Sequence, residues 1–273
     1  MTLRSIGFVL LLALIVACSK ATEKEAEPPP PVAELSNQEL LALEQTPGST
    51  PPLSDATDPA PAAVAGLEGA PGPSPAYGPI NAPVRVWVLT DFQCPVCKRS
   101  VEPVKYLARR YPKDVRVILK QNALKMHARA APSAVASVAA FRQGKFWAYY
   151  DRLYDRSGLD DDALVTHGQA LGLDAEQFKK DMADPAVVGQ VAYESALAAS
   201  IDLGSTPAFI VNGTTQKGWG SYLGLQQAVD RELARAKEIA ASGVPPERVA
   251  YEATRQSGPK GEELAAALFA IKK

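Results

Sequence analysis

Residues 84–99 read VRVWVLTDFQCPVCKR, and this stretch decides the fold. Residues 84–89 (VRVWVL) are β-branched and aromatic, bounded by Pro83 and by Thr90-Asp91, which predicts a strand. Its alternation is imperfect, because Trp87 and Leu89 share a face with Arg85, so a largely buried strand fits better than an edge strand. After Cys94-Pro95-Val96-Cys97, residues 98–110 place Val101, Val104, Leu107 and Ala108 on one side and Lys105, Arg109 and Arg110 on the other, which is helical spacing. Residues 115–119 (VRVIL) predict a second strand. The unit is strand, CPVC, helix, strand.

That order gives the two cysteines a chemistry. A CxxC opening a helix holds its first sulfur at the helix N-terminus, where unpaired N–H groups and the positive end of the dipole favour thiolate. Thiolate is the nucleophile of disulfide exchange, and a lowered pKa also makes it a good leaving group. Cys94 is therefore the expected attacking, exposed sulfur, and Cys97, one turn on, the more buried resolving sulfur. Pro95 suits the first helical position, which needs no N–H donor; Val96 completes the motif. Two other uses of the spacing exist. A structural zinc site needs a second ligand pair, but Cys18 is remote and His127 and His167 are isolated. An inert structural disulfide is the other. The strand–helix junction favours the redox use.

Downstream, residues 204–213 read GSTPAFIVNG. Residues 208–211 (AFIV) run into Asn212-Gly213, a strong hairpin signal, with 214–219 as the return strand. Residues 222–241 follow as an amphipathic helix with Leu223, Leu225, Val229, Leu233 and Ile239 apolar, closed by Gly243 and Pro245-Pro246. Between the two motifs, residues 126–156, 160–182 and 185–200 read as helical. They include Phe146, Trp147, Tyr149, Tyr150 and Tyr154, an aromatic cluster expected to pack helices together; the alternative is an exposed surface that meets unfolded clients. His127 is expected at a helix end or in packing, and His167 at the surface.

TDFQCPVC (90–97) after VRVWVL resembles the DsbA-like thioredoxin-fold proteins, the thiol–disulfide oxidoreductases of bacterial envelopes. The Thr206-Pro207 string, AAFRQGKFWAYYDRLY (139–154), and ALGLD (170–174) with Phe178 are similar to further parts of that family, so the likeness covers roughly residues 80–235. The resemblance implies an α/β, thioredoxin-like fold: a central mixed sheet with a helical insertion, about 122–200, between the second and third strands. It implies that Cys94 and Cys97 are catalytic. It also implies a cis Thr206-Pro207 bond packed beside the CxxC, with both residues contacting substrate and the loop free to pair with an extended chain. Neither cofactor nor metal is implied. The implied partners are exported protein thiols and disulfides, together with a membrane redox partner for recycling.

Two departures from the family pattern stand out. Many relatives carry a buried acid six residues before the first cysteine, where this chain has Val88; Asp91 is only a weak substitute. The residue before Cys97 is Val96 rather than the His of strongly oxidising members. Valine offers no charge or donor, so Cys94 is expected to have a pKa above the ~3.5 of DsbA, and the couple to be less oxidising.

The N-terminal third reads differently. Arg4 and the 12-residue apolar run 6–17, ending at Cys18, resemble a bacterial lipoprotein signal: 1–17 is the signal peptide and Cys18 the lipid-attachment residue. Such a run is too short to span a bilayer comfortably. Residues 18–79 are expected to be a lipid-anchored, Pro/Ala-rich disordered tether, since residues 28–83 hold 14 of the 23 prolines. Within it Ser36-Asn37-Gln38-Glu39 is a capping box with Leu35 and Leu40 as staple, predicting a short helix over about 37–45. The folded domain is expected over 80–243, and 244–273 as a C-terminal helical extension. The localisation implied is anchorage to an envelope membrane, with the domain in the periplasm or outside the cytoplasmic membrane.

Composition narrows the alternatives. The 273 residues are 47% hydrophobic with a net charge of −1, which argues for a packed core and against a general nucleic-acid binder. Two other functions remain on the page. One is a non-redox tethered client-binding or chaperone module on the same scaffold. The other is a dithiol metallochaperone for a soft metal such as copper(I), which the lack of Met or His near the motif disfavours.

Overall fold

The computed structural model describes residues 35, 36, 38, 39, 42, 52–61, 67, 69–155 and 158–269. VRVWVLT forms β3 (Val84–Thr90), buried along its whole length. Parallel to it runs β4 (Val115–Gln121), reached through helix α1 (Pro95–Arg110). Beyond β3 lie β5 (Ala208–Val211) and β6 (Thr214–Lys217), both antiparallel to their neighbours. Beyond β4 lie β2 (Ser74–Tyr77) and β1 (Ala56–Asp58), also antiparallel. The sheet is thus mixed, in the order β1-β2-β4-β3-β5-β6.

The two outer strands correct the expected tether. Leu53 lies in the core and residues 56–58 and 74–77 belong to the sheet. A long-range ion cluster that proline content conceals joins these strands to the rest of the sheet. Asp58 is buried and accepts from Arg85 Nη1 at 3.2 Å and from Arg116 Nε at 3.0 Å. Arg116 also donates to the carbonyls of Thr57 and Gly78, and Arg85 to that of Ile80. Burying two guanidinium groups requires this many partners. Pro75 has no N–H to give, and the pairing of β2 with β4 begins one residue later, at Ala76. The capping box is present: Ser36 N donates to Glu39 Oε2 at 2.8 Å and Glu39 N to Ser36 Oγ at 3.3 Å. Leu35 packs on the core and its amide donates to the Tyr106 hydroxyl. Leu40, the signal peptide and Cys18 lie outside the described residues.

The chain between β4 and β5 is the helical insertion: α2 (Ala130–Arg142), α3 (Phe146–Tyr154), α4 (Asp161–Ala170), α5 (Ala175–Met182) and α6 (Pro185–Ser200). The 160–182 segment divides because Gly172 adopts a positive φ and Asp174 caps a new helix. Phe146, Trp147, Tyr149, Tyr150 and Tyr154 are all buried, so the cluster is core rather than an exposed client surface. His167 is also buried, contrary to expectation. Its Nε2 meets the Gly158 carbonyl at 2.9 Å and its ring faces Tyr149, contacts that its sequence neighbours do not signal.

One sheet face, with Val84, Val86, Val88, Val117 and Leu119, packs on α1, α3 and α7 (Tyr222–Ala241). The other face, with Trp87, Ile118 and Ile210, packs on α6, α8 (Pro246–Arg255) and α9 (Gly261–Leu268). Phe269 closes it, edge-on to Trp87 at 5.0 Å and under the Arg85 guanidinium at 4.7 Å. The β5–β6 turn has Asn212 and Gly213 at φ 42° and 91°, the geometry that the Asn-Gly pair favours. Asn212 also ties the turn to β3, accepting from Arg85 N and donating to the Pro83 carbonyl.

Candidate active site

The C-terminal end of β3 delivers the CPVC to the mouth of α1. Cys94 is the N-cap, in extended conformation, and Pro95 opens the helix; the first turn contains no acid to compete for its positive end. The helix begins at Pro95, the first-position role expected for that proline, which puts Cys97 inside the first turn. Both cysteines are free thiols. Cys97 is 0% exposed and Cys94 6%, so Cys94 is recessed rather than exposed as expected. The sulfur that meets solvent does so through a cavity of about 360 Å³, whose walls include Phe92, Gln93, Pro95, Lys98, Arg129 and Tyr154.

The Thr206-Pro207 bond is cis, and the Thr206 carbonyl lies 3.6 Å from Cys94 Sγ. The two motifs, 112 residues apart in sequence, are therefore in contact. Pro207 is buried and Thr206 partly exposed. The Thr206 hydroxyl is buried with no other hydrogen-bond partner, so it is available to a Cys94 thiolate. The Cys97 thiol donates to Cys94, and together with the Thr206 hydroxyl and the amides of Cys97 and Val96 it lowers the Cys94 pKa to about 5 against the cost of burial. Burial, then the adjacent Cys94, push the Cys97 thiol far above the ordinary range. Val96 is about one-third exposed and offers no side-chain donor.

Asp91 does not replace the missing acid. Its carboxylate is buried and committed: Oδ1 accepts from Gln93 N at 2.8 Å, and Oδ2 from Leu124 N at 3.0 Å and meets His127 Nδ1 at 2.8 Å. His127 sits at the entry to α2, its carbonyl accepting from Ala130 N, which is the helix-end role expected for it. Sequence reasoning passes over Asn122. It stands just past β4, and its side chain donates to the carbonyls of Leu203 and Ser205, holding the Thr206 loop against the cysteines. A carboxamide directly after a buried parallel strand is the signal that could have found it.

The family profile described as thioredoxin matches residues 71–231. The Na(+)/H(+) antiporter NhaA of Herminiimonas arsenicoxydans is 31% identical over 142 residues, 52% of this chain and 22% of that protein. The chain spans about a quarter or less of the length of such curated relatives. A thioredoxin-like oxidoreductase from Silicibacter pomeroyi is 31% identical, with TM-score 0.53 over 58% of this chain and 91% of that one. The thiol–disulfide exchange protein α-DsbA2 from Wolbachia pipientis, 19% identical at TM-score 0.53 over 58% of this chain and 86% of that one, shares the fold. With the profile covering more than half of its length, a CxxC at a helix mouth and a helical insertion between two strands of a mixed sheet, the chain belongs to the thioredoxin family.

Proposed function

We propose that this chain is a thiol–disulfide oxidoreductase of the bacterial envelope, exchanging disulfides with exported proteins through Cys94 and Cys97. In the reducing direction the Cys94 thiolate attacks one sulfur of a substrate disulfide, and the other substrate sulfur leaves with the bonding electron pair and takes a proton. Cys97 then loses its proton and attacks Cys94 Sγ. The second substrate sulfur is released, the substrate is reduced by two electrons and the CPVC pair is oxidised. A membrane redox partner returns the pair to its starting state. The reverse sequence oxidises client dithiols. Thr206 and Pro207 line the approach to Cys94 and hold the extended client chain; Pro95 and Val96 shape the helix mouth. Cys18, lipidated, anchors the chain to an envelope membrane.

The observation that carries this reading is the unlike pair of sulfurs: one ionised near pH 5 beside the Thr206 carbonyl, the other buried and protonated one turn away. Insulin reduction and the refolding of reduced ribonuclease test it, with Cys94→Ser as control. The parent chain is expected to catalyse at least one of these reactions and the variant neither; equal activity in both overturns the assignment. Membrane retention of a Cys18→Ser chain in the source bacterium would overturn the anchor.

A further inference from the structure

A buried thiol must ionise for the second half of that cycle, and the acid that assists it in many relatives is Val88 here. Val84, Val86 and Val88 face the same core as Cys97, and strand alternation puts Thr90 next in that row. Thr90 is 1% exposed, and its hydroxyl favours the Cys97 thiolate, opposing the effect of burial on that sulfur. It lies 2.6 Å from the hydroxyl of Tyr154, which in turn is 3.1 Å from the Asp91 carbonyl. Tyr154 comes from α3 of the insertion, and its ring forms part of the cavity wall beside Cys94. Four polar atoms thus stand in line: sulfur, hydroxyl, hydroxyl, carbonyl.

We propose that the Thr90 and Tyr154 hydroxyls do the work of the missing acid, reversing their hydrogen-bond direction as Cys97 passes from thiol to thiolate. In the mixed disulfide, where Cys94 is no longer a thiolate that takes its hydrogen, Cys97 S–H donates to Thr90, Thr90 to Tyr154, and Tyr154 to the Asp91 carbonyl. With the thiolate, Tyr154 donates to Thr90 and Thr90 donates to sulfur. Only hydrogens rotate, so the switch needs no rearrangement of a packed core. In the resolving step the Cys97–Cys94 bond forms, the bond from Cys94 to the substrate sulfur breaks, and the departing sulfur takes up the proton that Cys97 gave away. Thr90 touches the reacting sulfur; Tyr154 is a positioning residue acting through it.

This inference rests on the redox reading, and the test separates the two. The full chain, with Thr90→Val, Thr90→Ser and Tyr154→Phe, is mixed with oxidised glutathione between pH 5 and pH 8. Formation and resolution of the mixed disulfide are followed by acid quench and mass spectrometry. Thr90→Val removes a hydrogen bond to a charged sulfur and is expected to slow resolution at least about tenfold at pH 7, steepening its rise with pH. Tyr154→Phe should give a smaller shift in the same direction, while Thr90→Ser keeps the parent profile. The alkylation midpoint of Cys94 should stay near pH 5 in all three. Parent-like resolution profiles in folded Thr90→Val and Tyr154→Phe overturn the switch while leaving the redox reading standing. Should Thr90→Val fail to fold, Tyr154→Phe alone decides. A parent chain that forms no Cys94–Cys97 disulfide overturns the redox reading and the switch with it.

Discussion

The two ends of β3 bury polar groups by opposite means. At its start, Arg85 meets a carboxylate, a carbonyl and an aromatic face, and Asp58 satisfies Arg116 as well. Two guanidiniums share one carboxylate, and backbone carbonyls take further donors in fixed geometry. At its end, Thr90 meets a thiol and a phenol, groups that both donate and accept. The first arrangement has one low-energy pattern and no reason to change. The second admits two patterns, since either hydroxyl of the Thr90–Tyr154 pair can donate, and on the proposed switch the choice follows the state of the Cys97 sulfur. One strand thus carries an anchor at one end and a reactive centre at the other, about 17 Å apart at roughly 3.3 Å per residue.

The contrast can be broken from either side. The largest effect is expected at the anchor. Asp58→Ala strands two buried guanidiniums and should cost about 3–5 kcal/mol in urea unfolding, with the Cys94 alkylation midpoint unmoved; a loss below about 1 kcal/mol would show the cluster to be ornamental. Phe269→Ala uncovers Trp87 and Arg85 together, and a loss of about 3 kcal/mol is expected by the same measurement. Next comes the pH dependence of the reactive end. The Cys94 thiol titrates near 5 when folded and near ~8.5 when unfolded, so its thiolate stabilises the reduced fold fully above ~8.5 and loses this effect as pH falls through 5. Urea midpoints of the reduced and oxidised chains, compared at pH 4.5 and pH 8, should therefore shift in favour of the reduced form at the higher pH. A gap that does not change places the thiolate elsewhere. The smallest effect concerns the loop: Asn122→Ala frees the carbonyls of Leu203 and Ser205. It should reduce the exchange rate severalfold with a stability loss of about 1 kcal/mol, and an unchanged rate would remove Asn122 from the positioning of Thr206.

Much of the reactive end is legible in sequence because its signals are local. A β-branched run, a CxxC and a helical stripe lie within 27 residues, and Asn-Gly announces its own turn. The anchor is not legible, since Asp58 sits among prolines and meets its arginines only when 27 and 58 residues of chain have folded back. The same holds for Thr90 with Tyr154, 64 residues apart, and for His167, which is buried by contact with Tyr149 of a different helix. Spacing reports what a segment prefers; it is silent about which remote group will answer a buried donor.

The sheet ends on one side in β1, three residues long, and on the other in β6, a polar four-residue strand whose Lys217 is held by Asp202. Neither margin offers a long run of unpaired backbone for a foreign chain to adhere to. On the proposed function, such margins let the chain handle client sulfurs repeatedly without being drawn into client aggregates.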